Sequence, residues 1–290
     1  MGNFGRNTDP CAQLNTRIPE LPRIMRNNGW VVGAALMEKW LHDGANDAPK
    51  RGFHDTMNVR MDWVLMFGRA SEVYQSAKAQ KVWLSENAQK RIRKALIEEQ
   101  SCLPSSIGDR QEIGNVGESQ PFSSGGALQF HNDWQVQFSN VRQNPVTQQL
   151  DDLYAALGDF SFYYLVKGWV ERLPDQGSKP RYRVTLNKVG VYVMDSYDFN
   201  DIDPETAKGN GWAGWLLSTD PVNAVISQPL GVWSCSRNYA GKNPFPLENK
   251  YYVQNRDFRE WRKRYGKGRG GDFLVFSDIK VFDTNDSFEF

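Results

Sequence analysis

Apolar side chains recur at helical spacing in the first third of the chain and mostly on alternate positions in the rest. From Ile24 to Leu41, the residues Met25, Trp30, Ala34, Met37 and Leu41 follow one another at about a turn's distance. Pro22 and Gly44 supply start and stop signals, and one helix is expected between them, weakened in its middle by Gly29 and Gly33. Asn58 to Phe67 carries Val59, Met61, Trp63, Leu65 and Phe67 on alternate positions, which predicts a strand, with helix as the second choice. Leu84 to Gln100 gives the clearest helix. There Ala88, Ile92, Ala95 and Leu96 share a face, Ser85 is placed to cap, and Lys90, Arg91, Arg93 and Lys94 crowd the solvated side.

Residues 101–126 change character, with Pro104, Gly108, Gly114, Gly117, Pro121 and the run Ser123-Ser124-Gly125-Gly126. Such residues suit turns and resist regular pairing, so a linker is expected here. Beyond it, Trp134, Val136 and Phe138 alternate, and Leu150 to Leu157 forms a short helix stopped by Gly158. Phe160 to Val170 reads as a long strand, Pro174 to Gly177 as its turn, and Tyr182 to Val193 as the return. The alternation slips near Lys188-Val189-Gly190, where a bulge is expected. After an apolar piece at Trp212–Leu217, further strands are expected at Leu230–Cys235 and Tyr251–Val253. A helix after Asn255 would bury Phe258, Trp261 and Tyr265, and Phe273–Phe282 would supply a strand pair or one broken strand.

This pattern gives an α+β class: a flexible arm at 1–18, a mainly helical domain at 19–100, the 101–126 linker, and an antiparallel β-rich, half-barrel-like domain at 127–290. With 290 residues and 40% hydrophobic residues, the chain can bury a substantial core. A net charge of +1 gives no reason to expect nucleic acid as a partner. The 10 Trp, 11 Tyr and 16 Phe fit a packed β-rich core first, and apolar or glycan surfaces second. Cys11, Cys102 and Cys235, with His42, His54 and His131, make no zinc spacing, so any metal is expected to be held by oxygen. Met1 to Pro10 is polar and no apolar run approaches a membrane span, so neither a secretory signal nor a transmembrane segment is expected.

Two charged stretches carry candidate chemistry. Asp195, Asp198, Asp201, Asp203 and Glu205 crowd the end of the return strand. Asp195 and Tyr197 would point to one side in an extended chain and Asp198 to the other, with a turn able to gather them. Carboxylates so close suit a hard cation such as Mg²⁺, or a split acid and base pair; an acidic surface turn is the plainer alternative. The second stretch holds Arg256, Arg259, Arg262, Lys263, Arg264, Lys267 and Arg269. It reads as a phosphate clamp or as the solvated side of the Phe258–Trp261–Tyr265 helix. Gly266 to Gly271 lacks the order of a P-loop. His131 is available as a general acid or base, or as a hydrogen-bonded structural residue.

The run Asp195-Ser196-Tyr197-Asp198-Phe199-Asn200 resembles the Asp-x-Tyr-Asp-Phe-Asn signature of colicin M and related bacteriocins, and Ala156-Leu157-Gly158-Asp159-Phe160 resembles the lead into it. The likeness covers about fifty residues. It implies Mg²⁺-dependent cleavage of lipid II between undecaprenyl and pyrophosphate in the periplasm, with Asp195 the principal carboxylate, Tyr197 and Asp198 completing the motif, and Asp195 and Asp198 as metal ligands. The family places a His-Arg pair shortly after its second Asp, where this chain has Pro204-Glu205. His131, Arg237 or an arginine of 256–269 would have to stand in.

Leu21-Pro22-Arg23-Ile24-Met25-Arg26-Asn27-Asn28-Gly29-Trp30, with the later Gly270-Gly271-Asp272-Phe273, also resembles a bacterial family of type VI secretion-associated proteins. Together the two likenesses imply an antibacterial effector, cytoplasmic in its producer, exported without a leader by a secretion-system carrier and countered by an immunity protein. The alternative they leave open is a non-enzymatic adaptor, immunity or structural protein of such a system.

Overall fold

A computed structural model describes residues 18–46, 54–99, 103–114, 131–132, 134–142, 151–199, 215–218, 250–253 and 255–290. The fold class is α+β, with helices leading and a curled sheet following. The chain divides into two compact units, and neither is one continuous stretch. The first comprises 1–53, 143–158 and 196–274; the second comprises 54–142, 159–195 and 275–290. Successive domains at 19–100 and 127–290 were the expectation from sequence.

In the first unit the single expected helix is two, α1 (Leu21–Asn27) and α2 (Val31–His42). Gly29 breaks it by adopting φ +77°, a left-handed backbone that glycine accepts without steric cost. The N-terminus of α2 is capped from a distant segment, α6 (Asp152–Leu157). The Asp152 carboxylate accepts the Val32 amide at 3.1 Å and the Gly33 amide at 2.7 Å. Asp151 caps α6 itself through the Tyr154 amide, and Gly158 ends it at φ +58° as expected. Gly33 lets the two helices meet, since a Cβ there would lie 2.6 Å from the Ala155 Cβ. The unit also holds the pair β6 (Trp215–Ser218) and β7 (Lys250–Val253), then α7 (Asn255–Arg264). The candidate strand at 230–235 lies outside the described residues.

The second unit is built on a hairpin of β4 (Phe160–Gln176) and β5 (Lys179–Tyr197), whose last two residues belong to the first unit. The expected bulge is present, one position early: Lys167 faces Lys188 and Gly168 faces Leu186, so Asn187 is the extra residue. β3 (Gln135–Val141) pairs with the Phe160–Leu165 part of β4. β2 (Arg110–Gly114) pairs with Lys167–Glu171, so a strand lies inside the stretch expected to be linker. Its Gly114, at φ +74°, approaches the Val166 carbonyl too closely for any side chain. On the other flank β9 (Lys280–Glu289) pairs with β5, and the sheet order is completed by β8 (Phe273–Phe276), whose first two residues belong to the first unit, and β1 (His54–Asp55).

Phe162, Tyr164, Val166 and Val170 line one buried face, as their alternation predicts. Against it pack α4 (Gly68–Ala79), through Tyr74 on Phe162, and Trp83 on Tyr164. Ser85 caps α5 (Glu86–Lys94) by accepting the Ala88 amide, and the helix loosens into a π-turn at Ala95–Glu99. The Asn58–Phe67 strand is not formed. Met61–Val64 is a helical turn, α3, because Met61 and Val64 are the buried pair at i and i+3 while Asp278 accepts the Met61 amide at 2.6 Å. Among the described residues no helix is long and apolar enough to cross a membrane.

The α2–α6 contact gives a test of packing against propensity. Alanine at position 33 gains about 1 kcal/mol of helix propensity but overpacks the Ala155 contact at a cost of about 1–3 kcal/mol. Urea unfolding of Gly33→Ala is expected to show a lower midpoint than the parent. An unchanged or higher midpoint would mean that the helices part at no cost.

Candidate functional site

Strand register in the second unit aligns aromatic rings across three strands. Phe138 on β3 faces Tyr163 on β4, which faces Tyr192 on β5, so all three stand on the sheet face opposite Phe162 and Tyr164. The Phe138 and Tyr163 rings lie 6.1 Å apart and those of Tyr163 and Tyr192 5.7 Å apart. Tyr192 continues onto Phe276 in a stacked contact at 6.5 Å, and Phe276 onto His54 at 5.7 Å. The row runs from an exposed end, Phe138 at 52%, to Tyr192 with no exposure.

His131, in the residues leading into β3, closes over this row. Its Nδ1 lies 2.7 Å from the Tyr192 hydroxyl, and its ring meets Tyr163 edge-on at 4.8 Å. Burial lowers the His131 pKa, because the apolar surround disfavours the cation. Burial likewise pushes Tyr192 well above the ordinary tyrosine value, and the nearby Tyr163 hydroxyl adds to it. The two effects fix the pair as neutral imidazole and neutral phenol at pH 7. The Tyr192 contact orients the ring through Nδ1; in the tautomer whose Nδ1–H donates to the Tyr192 hydroxyl oxygen, Nε2 is the nitrogen free to accept a proton.

Tyr163 links Asp195 to this group. Its own pKa is raised first by burial and then by the negative charge of Asp195, the last residue of β5 within the second unit. Asp195 is half-buried. His131 contacts both tyrosines, whereas Asp195 is linked to Tyr163 through its charge: by alternation it stands on the Val191–Val193 side of β5, opposite Tyr192.

The rest of the motif is placed differently. Tyr197 is a core residue of the first unit: it stacks on Phe273 at 5.1 Å and meets Phe199 at 5.7 Å, and complete burial drives its pKa far up. Phe199 in turn stacks on Phe258 at 3.8 Å and packs edge-on against Trp40 at 4.8 Å. The Tyr-x-Phe alternation of the motif therefore buries two rings, and Asp198 between them is half-buried and accepts the Ser196 hydroxyl. Arg237, Asp201, Asp203 and Glu205 lie outside the described residues.

No group of three His, Cys, Asp or Glu side chains that could hold a metal occurs among the described residues. Asp195 belongs to the second unit and Asp198 to the first. These two carboxylates do not by themselves fit a Mg²⁺ centre, which prefers six oxygen donors in near-octahedral order.

The basic run is only partly a solvated face. Arg259 donates to the Phe199 carbonyl, and Arg262 binds the fully buried Asp272 carboxylate and the Asn46 carbonyl while lying over the Trp40 ring. Arg264 pairs with Glu260 at 2.7 Å. Tyr163 and Tyr192 escaped the sequence reading, although a signal existed: Phe162, Tyr163 and Tyr164 put rings on both faces of one strand. Only the register shows which rings meet.

Residues 16–290 match a family of unknown function, DUF6402. The chain belongs to that family. No curated protein and no solved structure matches it. In this DUF6402 protein the candidate chemistry lies with His131, Tyr192 and Tyr163, with Asp195 acting on Tyr163 through its charge.

His131 is expected to titrate by NMR with a midpoint below the ordinary 6.5. A depressed folded value means that the neutral ring stabilises the fold fully above the unfolded pKa, and that this contribution is lost as pH falls toward the folded value. A midpoint at or above 6.5 would remove the neutral-base assignment.

Proposed function

We propose that this protein is an antibacterial effector that hydrolyses lipid II between undecaprenyl and pyrophosphate at the periplasmic face of a target cell. The observation that carries the reading is His131, a neutral imidazole held against the Tyr163–Tyr192 pair, with the charge of the motif carboxylate Asp195 acting on Tyr163. His131 takes the place of the histidine missing after the motif. It accepts a proton from water as the water oxygen bonds to phosphorus. The bond from phosphorus to the prenyl oxygen breaks, and the proton passes to that oxygen, giving undecaprenol and the pyrophosphorylated headgroup. Asp195 orients the water and the imidazolium that forms. Mg²⁺ enters no step of this scheme.

The second reading is a non-enzymatic adaptor or immunity component of a secretion system. It is favoured by the burial of Tyr197, which withdraws the motif hydroxyl from any surface.

The two readings separate in one assay: purified wild type, Asp195→Asn and His131→Ala with lipid II, with Mg²⁺ and with a chelator, following headgroup release. Loss of Asp195 is expected to lower turnover roughly 10²–10³-fold and loss of His131 roughly 10²–10⁴-fold, with the fold unchanged by circular dichroism. Absence of hydrolysis by folded wild type would overturn the hydrolase reading and favour the adaptor. Equal hydrolysis by all three would retain an enzyme and discard this site. In a susceptible host, toxicity is expected when an export signal is attached; toxicity of the unexported form alone would rule out a periplasmic target.

A further inference from the structure

The turn after α7 builds a second concavity, within the first unit. Tyr265 to Gly271 leaves the helix with Gly266 bonded back to the Trp261 carbonyl at 2.8 Å. The turn is held by the segment after α2: Ala45 donates to the Gly268 carbonyl at 2.8 Å, Gly270 to Asp43 at 3.0 Å and Gly271 to Trp40 at 3.1 Å. So pinned, Lys267 takes a left-handed backbone at φ +50°, an uncommon conformation for a side-chain-bearing residue. Glycine would relieve that strain, so the lysine is kept at a conformational cost.

The result is a pocket of about 460 Å³ lined by Pro19, Trp261, Tyr265, Gly266, Lys267 and Arg269. Lys267 and Arg269 are exposed cations, and neither makes an ion pair among the described residues. By contrast Arg262 and Arg264 on the same segment are both paired. None of these six lining residues is a carboxylate. A guanidinium fork and an ammonium beside Tyr265 and the edge of Trp261 form a recognisable chemical preference. The cations suit a phosphate group, and the rings and Pro19 suit an apolar or ring-bearing substituent on it. A pocket of this size accommodates a small molecule or a headgroup.

We infer that this pocket binds a phosphate monoester carrying an apolar or ring substituent, supplied either as a soluble metabolite or as a lipid headgroup. The inference stands independently of the proposed hydrolysis, because it uses none of His131, Tyr163, Tyr192 or Asp195.

The test uses the full chain with two probes. Phenyl phosphate is titrated by calorimetry and by ¹H–¹⁵N NMR, beside inorganic phosphate; phosphatidylcholine vesicles, with and without phosphatidic acid, are used in flotation. Phenyl phosphate is expected to bind at least tenfold more tightly than inorganic phosphate and to shift the signals of Tyr265, Lys267 and Arg269. Flotation only with phosphatidic acid would assign the lipid source, and phenyl phosphate binding without flotation the soluble one. The double variant Lys267→Gly, Arg269→Ala is expected to lose at least tenfold in either assay, and the left-handed position accepts its glycine. Binding of neither probe by folded protein, or binding undiminished in the double variant, overturns the inference.

Discussion

The ladder between β4 and β5 is the constraint on which the second unit depends. It runs from Ser161 opposite Met194 to Gln176 opposite Lys179, and every other strand of the sheet is placed by it directly or at one remove. β2 and β3 share the free edge of β4, while β9 and the Ser277 segment take that of β5, where Ser277 and Val193 exchange hydrogen bonds at 3.0 and 2.8 Å. Because side chains alternate strictly along each strand, one register decides two faces together. One face becomes the Phe162–Tyr164–Val166 core, and the other the row from Phe138 to Tyr192. The bulge at Asn187 is what lets the phase slip without exchanging those faces beyond it. Gly168, where a Cβ would fall 1.9 Å from the Thr185 carbonyl, marks how closely the strands approach there.

Buried carboxylates tie distant segments together in each unit. In the second, Asp286 is 6% exposed and accepts the Trp83 indole at 2.9 Å, the Lys81 ammonium at 2.6 Å and the Thr284 hydroxyl. In the first, Asp272 is wholly buried and accepts the Trp40 indole at 2.9 Å and Arg262, while its amide bonds Asn46 at 2.9 Å. A buried charge is tolerated only when its lone pairs are met, so each of these carboxylates specifies a set of neighbours more than it adds net stability. Asp152, capping α2 from α6, follows the same logic at a helix N-terminus. That is why residues so far apart as Trp40 and Asp272 belong to one unit.

The motif that drew attention in the sequence does two jobs in the fold. Its carboxylate Asp195 lies near the end of β5 and acts on Tyr163 through its charge, whereas Tyr197 and Phe199 are ring-to-ring core. In the proposed hydrolysis the catalytic weight falls on groups outside the motif: His131, far upstream, and Tyr192, three residues before Asp195. A tyrosine with no exposure, hydrogen-bonded to a desolvated histidine, is an arrangement that stabilises one protonation state, which is a requirement for directed proton transfer. The same burial that makes Tyr197 useless as a surface hydroxyl makes Tyr192 useful as a positioning group.

Local pattern alone determined the α+β class, the long hairpin, the bulge within a residue, the Ser85 cap and the Gly158 stop. Each depends on neighbours in sequence: side-chain alternation, a capping hydroxyl, a residue free to take positive φ. The single helix expected from 24 to 41 and the strand expected from 58 to 67 failed for a related reason. Periodicity there was ambiguous, and the Gly29 backbone and the Asp278 bond to the Met61 amide decided it. Tertiary structure alone decided which tyrosines meet His131, that Tyr197 turns into a core, and that both units interleave along the chain. Those outcomes rest on register and on pairing between segments far apart in sequence, which alternation within a strand leaves unspecified.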